Sequence, residues 1–224
     1  MSPDESDDED PLDESTKLVC TITTLAALKT NTTVKSLSFG AYALDDSGVA
    51  AVAAMLLVNK TITDLDLSNN VFGPAGAAAL ADMLKTNKTL KSLMVAENDK
   101  VGDTGVAVLA AALKVNQTVT FIGLGDCGFG DEGAAALAKM MLVNKSLTEI
   151  NLTANGITDV GATELVEACA AYTRKGNKTL QSLRLTMNNT TGECDEKLKA
   201  MKANHVGIHV HVGDMMDMLM DNDE

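Results

Sequence analysis

Aromatic residues are scarce in this chain. There is no tryptophan, and two tyrosines and four phenylalanines are spread over 224 residues. No basic face with interleaved rings can be drawn from the sequence, which excludes the usual footprint of nucleic-acid binding. Four cysteines (Cys20, Cys127, Cys169, Cys194) are widely separated. None forms a CxxC or a zinc-type pair, and this scatter points to a reduced compartment. No apolar run approaches the length of a membrane span, and no secretory leader opens the chain. A cytoplasmic protein without a membrane partner is the expectation.

Base is also missing from both ends. Residues 1–16 hold eight acids and no base, and residues 213–224 hold five acids and no base. These thirteen acids account for the whole net charge of −13, so the body between them is neutral by count. The first segment is almost free of apolar residues and is expected to be disordered. Such ends either keep a neutral body soluble or serve as docking peptides for a basic partner.

What the chain has in abundance is repetition. Asn31, Asn59, Asn87, Asn116, Asn144 and Asn177 each open an Asn-x-Thr/Ser triplet, with a degenerate seventh at Asn204. The spacings are 28, 28, 29, 28, 33 and 27 residues. A fixed period in this range is one supersecondary unit stacked into a solenoid. The triplets also match the N-glycosylation acceptor, but without secretion they are read as the helix-to-strand turn. In that reading asparagine takes the left-handed conformation that closes a helix.

Residues 87–115 show the unit. Leu90, Leu93, Val95 and Asn98 fit the phrase L-x-x-L-x-L-x-x-N, that of a leucine-rich repeat. Leu93 and Val95 alternate into a core, while Ser92, Met94 and Ala96 face the other way. Asn98 turns inward to bond loop backbone that would otherwise be unpaired. Val101 plugs the loop, Gly102 and Gly105 permit a close approach, and Leu109 and Leu113 recur at helical spacing from Val106. Cys127 stands where asparagine is expected and reads as a structural thiol. Tyr42 stands at the same position in the first repeat and predicts a less regular loop.

A period of 28–29 residues leaves room for a full helix. The expected fold is an α/β, right-handed leucine-rich repeat solenoid, a horseshoe arc with parallel β-strands on the concave face and α-helices on the convex face. Its domain spans 17–212, between an acidic tail at 1–16 and an acidic, Met-rich segment at 213–224. Within it lie a cap helix at 17–30, repeats at 31–58, 59–86, 87–115, 116–143, 144–176 and 177–203, and a terminal strand at 204–212. The run Met215–Met220 folds over the end of the stack or docks a partner. Arg174–Gly176 lengthens the fifth repeat; with Lys178, its cations suit a helix C-terminus or a specificity loop.

Aligned repeats give the columns of the concave face. The predicted partner-binding residues on it are Asp64, Asp66, Asn69, Met94, Glu97, Phe121, Asp126, Glu149, Asn151 and Arg184. The face is mixed and mildly acidic, with cations only toward the C-terminal end. No catalytic triad can be assembled, and neither catalytic residues nor a cofactor are expected. Gly123, Gly125, Gly128 and Gly130 lack the Lys-Ser/Thr of a phosphate cradle. His205, His209 and His211 share strand parity, so His209 and His211 lie about 7 Å apart on one face. A metal with a tail carboxylate and a solvated surface are both open readings of them. Leu93→Ala is expected to destabilise strongly, and Asp66→Ala to leave stability almost unchanged.

The repeats resemble the ribonuclease-inhibitor-like class of leucine-rich repeats. The phrases Leu28–Phe39 and Leu84–Asn98 resemble the C-terminal half of tropomodulins. That resemblance covers roughly residues 17–212 and implies a non-catalytic, monomeric protein-binding scaffold with actin as its partner. Two other readings stand beside it: a repeat scaffold with a different protein ligand, and a Ran-type GTPase-activating regulator.

Overall fold

The computed structural model describes residues 23–174, 179–191 and 208–211. A short helix α1 (23–28) leads into a regular alternation. The elements are β1 (Ser36–Ser38), α2 (Asp46–Val58), β2 (Asp64–Asp66), α3 (Pro74–Thr86), β3 (Ser92–Met94) and α4 (Gly102–Val115). Then come β4 (Phe121–Gly123), α5 (Asp131–Met141), β5 (Glu149–Asn151), α6 (Asp159–Arg174), β6 (Ser182–Arg184) and β7 (His209–His211). The strands form one parallel sheet in sequence order. The acidic segments 1–16 and 213–224, His205, the Met-rich run and the Arg174–Gly176 insert with Lys178 fall wholly or largely outside the described residues.

Leu37, Leu65, Leu93, Ile122, Ile150, Leu183 and Val210 are consecutive Cα partners along the sheet. This is the inward row that period-2 alternation demands. Leu65 to Leu183 in that row are essentially inaccessible, as are Leu67, Val95, Leu124 and Leu152 two residues on. A fully buried leucine contributes roughly 1.5–3 kcal/mol. Because each row is shared with both neighbouring repeats, the core is continuous rather than one per repeat.

The helices form because their interiors are strong helix formers, such as AAVAAMLL in α2 and AAALADML in α3. Each begins with a small residue on its inner side. A Cβ on Gly161 would lie 2.6 Å from Asp131 Oδ1 and 2.9 Å from the Ala134 Cβ of the preceding helix. Only glycine lets α6 approach α5 that closely.

The turn asparagines are in the predicted place but not in the predicted conformation. Asn59, Asn87 and Asn116 have φ of −64°, −67° and −78° with ψ above 120°, which is extended. The reason is a hydrogen-bonding task that the left-handed form would not serve. Asn116 Oδ1 accepts from the backbone N–H groups of Thr118 and Val119. Its Nδ2 donates to the carbonyls of Leu84, at 2.7 Å, and Asn87, at 3.2 Å, one repeat back. Asn59 and Asn144 repeat both halves of the pattern. Four of these asparagines, Asn59 to Asn144, are fully buried, which such complete pairing makes tolerable.

A second ladder runs along the opposite edge. Asn70, Asn98, Asn155 and Asn188 each donate Nδ2 to carbonyls of their own loop and of the preceding repeat. At Cys127 the thiol takes over, donating to the Val95 carbonyl at 3.3 Å. Burial pushes that thiol up to about 12, which makes it inert and structural. In the first repeat Ala43, next to Tyr42, adopts a positive φ of 53° that no other non-glycine residue shows at the equivalent position among the described repeats, the less regular loop expected there.

Candidate binding face

The face away from the helices is built from the two columns that flank the inward row. One runs Ser36, Asp64, Ser92, Phe121, Glu149, Ser182, His209, and the other Ser38, Asp66, Met94, Gly123, Asn151, Arg184, His211. Neighbours within a column are one strand apart, about 4.8 Å. Seven of the ten predicted residues therefore stand side by side on one sheet face.

The other three, Asn69, Glu97 and Asp126, form a third row at the strand ends. Each has positive φ, of 55°, 58° and 51°, as do Ala41, Ala154 and Met187 at the equivalent positions. The left-handed turn lets each backbone N–H extend the inter-repeat ladder, for example Glu97 N–H to the Gly125 carbonyl at 2.8 Å. It also turns the side chains of Asn69, Glu97, Asp126 and Met187 out into solvent. Nothing in the sequence signals this geometry at Glu97, Ala154 or Met187, because those residues disfavour it.

At the centre of the face Phe121 and Met94 lean over Gly123. A Cβ there would meet Met94 Cγ at 3.3 Å and the Phe121 ring at 3.4 Å. Met94 is 37% exposed although it is large and apolar. This apolar centre has carboxylates on both sides. On one, Asp64 accepts from the Thr63 hydroxyl at 2.6 Å. On the other, Arg184 pairs diagonally with Glu149 at 2.9 Å, so this cation of the face is already neutralised.

Asp66 differs from the sequence expectation of a free surface group. It is half-buried, and it accepts from the Ser38 hydroxyl at 3.0 Å and the Ser68 backbone N–H at 2.9 Å. Burial alone would raise its carboxyl, but these hydrogen bonds outweigh burial and hold it below the ordinary carboxylate value. Asn151 is likewise held, accepting from the Thr153 N–H and hydroxyl, and Thr153 in turn shares a bond with Thr186. Thr186 is a buried neighbour of the face that the repeat alignment does not single out.

His209 and His211 stack with ring centroids 6.4 Å apart, close to the spacing expected from strand parity. Among the described residues no three His, Cys, Asp or Glu side chains cluster as a metal site would require. Cys169 is as buried as Cys127, and burial pushes its thiol up to about 12. Among the described residues no helix is long and apolar enough to cross a membrane.

The Leucine Rich repeat family model matches residues 58–81, 86–110, 115–138 and 143–166. These are leucine-rich repeats. Each matched leucine-rich repeat starts within a residue of a turn asparagine and takes in one strand and at least half of the following helix. No curated protein matches the chain. Among solved structures, the leucine-rich repeat arc is similar to "Leiomodin-1 Actin-Binding Site 2 (ABS2)" at 17% identity and a TM-score of 0.56. That match covers 82% of this chain and 96% of the other. It is equally similar to the tropomodulin C-terminal domain of Caenorhabditis elegans, at 15% identity and a TM-score of 0.56, over 71% and 95% of the two chains. Both likenesses are of fold.

Proposed function

We propose that the chain is a non-catalytic, cytoplasmic and monomeric protein-binding scaffold, that its concave face is the docking surface, and that its partner is the actin filament. The observation that carries the scaffold reading is the Phe121–Met94 centre on an otherwise polar, open sheet face. Exposed apolar anchors ringed by polar groups are the usual make-up of a protein interface hot spot. The inert, buried thiols of Cys127 and Cys169 support a non-catalytic role.

The actin reading draws its support from the match to leiomodin-1 actin-binding site 2, whose length this chain spans almost completely. Co-sedimentation of the full chain with filamentous actin, together with a pointed-end elongation assay, tests it. Saturable co-sedimentation at micromolar protein that Phe121→Ser abolishes is the expected result. No pelleting and no change in elongation would retire actin and leave a scaffold for another protein.

A further inference from the structure

The body of the chain is neutral by count but not in space. Helices start at one long edge of the solenoid and end at the other, and charge follows that polarity. Where helices end and strands begin stand Lys29, Lys60, Lys88, Lys91, Lys114 and Lys145, all exposed. Where strands end and helices begin stand Asp45, Asp99, Asp103, Asp126, Asp131 and Glu132, with the cation Lys100 among them. Acids on the lysine edge are already engaged: Asp82 by Lys85 at 2.7 Å, Asp64 by the Thr63 hydroxyl at 2.6 Å and Glu149 by Arg184 at 2.9 Å. Part of this segregation answers the helix dipole: Lys60 Nζ donates to the Leu57 carbonyl at 2.7 Å and Lys88 Nζ to the Lys85 carbonyl at 3.4 Å. An ammonium has three donors, so each keeps most of its capacity for a further anion.

We propose that this lysine edge is the docking surface for the chain's own N-terminal acidic segment, residues 4–14. Three observations select that occupant. The segment has the complementary composition, eight acids within residues 1–16 and no base. It also has the reach. The described chain begins at residue 23, six helical residues before Lys29, which is about 9 Å from the edge. The 22 residues before it extend to roughly 70 Å, far more than the width of the five helix-to-strand turns carrying the lysines. The other acidic segment, 213–224, is less well placed, because β7 ends at the edge opposite the lysines. Tethering gives the N-terminal segment an effective concentration on the order of millimolar, so many weak ion pairs suffice. The edge is then a self-covered anionic-ligand surface, open to an outside acidic partner only in competition with the chain's own end.

The test is carbodiimide cross-linking of the full chain, which joins carboxylates to amines only in direct contact, with the links mapped by peptide mass spectrometry. At about 0.02 M salt, links from Asp4–Glu14 to Lys60, Lys88, Lys91 or Lys145 are expected, with few to Lys100. They should fade at about 0.3 M, where the Debye length is near 5–6 Å. Links spread evenly over edge lysines and Lys100, links from Asp214–Glu224 instead, covalent dimers in place of internal links, or no links at all would each overturn the proposal. As a second measurement, the full chain with its eight N-terminal acids changed to Asn or Gln should acetylate at Lys60, Lys88 and Lys145 about threefold faster, the gain expected from losing a tethered ligand. Lys100 should be unaffected. Unchanged rates at the edge would equally overturn it.

Discussion

Asp131, the first residue of α5, accepts the backbone N–H of Gly161 in the first turn of α6 at 3.0 Å. Its Oδ1 also takes the Thr158 N–H and its Oδ2 the Thr158 hydroxyl. Asp46 does the same for Gly73 and Gly76 of the next repeat, and Asp103 for Gly130 and Gly133. Asp159 continues the series at Thr191. The starts of α3, α5 and α6 are therefore capped by the helix before them, so the caps also fasten repeat to repeat. Where α3 begins with Pro74 the chain has no such acid, and α4 starts instead from Gly102, whose N–H finds the Cys127 carbonyl.

Removing a shared cap should loosen two repeats at once. Asp131→Ala is expected to destabilise by about 1 kcal/mol, within the range for N-cap loss. Chemical denaturation monitored by circular dichroism measures it, and an unchanged midpoint would contradict the cap. The pH dependence has a definite sign. Burial would raise the Asp131 carboxyl, but the hydrogen bonds from Thr158 and Gly161 lower it below its ordinary 3.8. Its contribution is complete above that value and disappears as pH falls through the lower folded value. Acid sensitivity below pH about 4 should therefore diminish in the variant.

Asn116→Ala should be far more damaging than its size suggests. It strips partners from the carbonyls of Leu84 and Asn87 and from the N–H groups of Thr118 and Val119, all in a closely packed seam. An unmade buried hydrogen bond costs about 1–3 kcal/mol, so a loss of at least about 3 kcal/mol is expected. Gln117→Ala, one residue on, is the control: Gln117 is exposed, and its change should move stability by less than about 0.5 kcal/mol. Denaturant midpoints of the two variants make the comparison, and equal shifts would contradict the seam.

Ala154→Gly should stabilise. Ala154 sits at φ 57°, a conformation that costs an L-residue roughly 1 kcal/mol and glycine almost nothing. The expected gain of about 0.5–1 kcal/mol is partly offset by the greater chain entropy of unfolded glycine. A lower melting temperature would mean that the residue does not hold this conformation in solution.

Leu93→Ala should cost about 2–5 kcal/mol, because it hollows a row shared by three repeats. Asp66→Ala, expected from the sequence to be silent, should instead cost about 1 kcal/mol through loss of its bonds to Ser38 and Ser68. Denaturant midpoints for the pair rank the two effects, and the reverse order would overturn the assignment of faces.

The period, the inward row from Leu37 to Val210 and the order of elements are readable because alternation and repetition are properties of the sequence itself. The columns of the face follow from the same alignment. What alignment does not reveal is the role of polar side chains that act across repeats. Asn116 and Asp131 serve groups about 30 residues away, and a local reading assigns such residues local turns and caps. The left-handed row at Glu97, Ala154 and Met187 is hidden for the opposite reason: the inter-repeat ladder imposes a conformation that those residues would not choose. Asp66 departs from expectation because a place on an open face does not make a side chain free, and Ser38 in the neighbouring strand holds it.

Cys127 and Cys169 sit in successive repeats, each sealed from solvent with a thiol too weakly acidic to react while sealed. With Cys20 and Cys194 changed to serine, the chain carries two internal alarms, one per repeat. Their alkylation rates read when each layer comes open. Equal rates at every denaturant concentration would mean that the stack melts as a single body, and unequal rates would mean that it frays layer by layer from its weaker end.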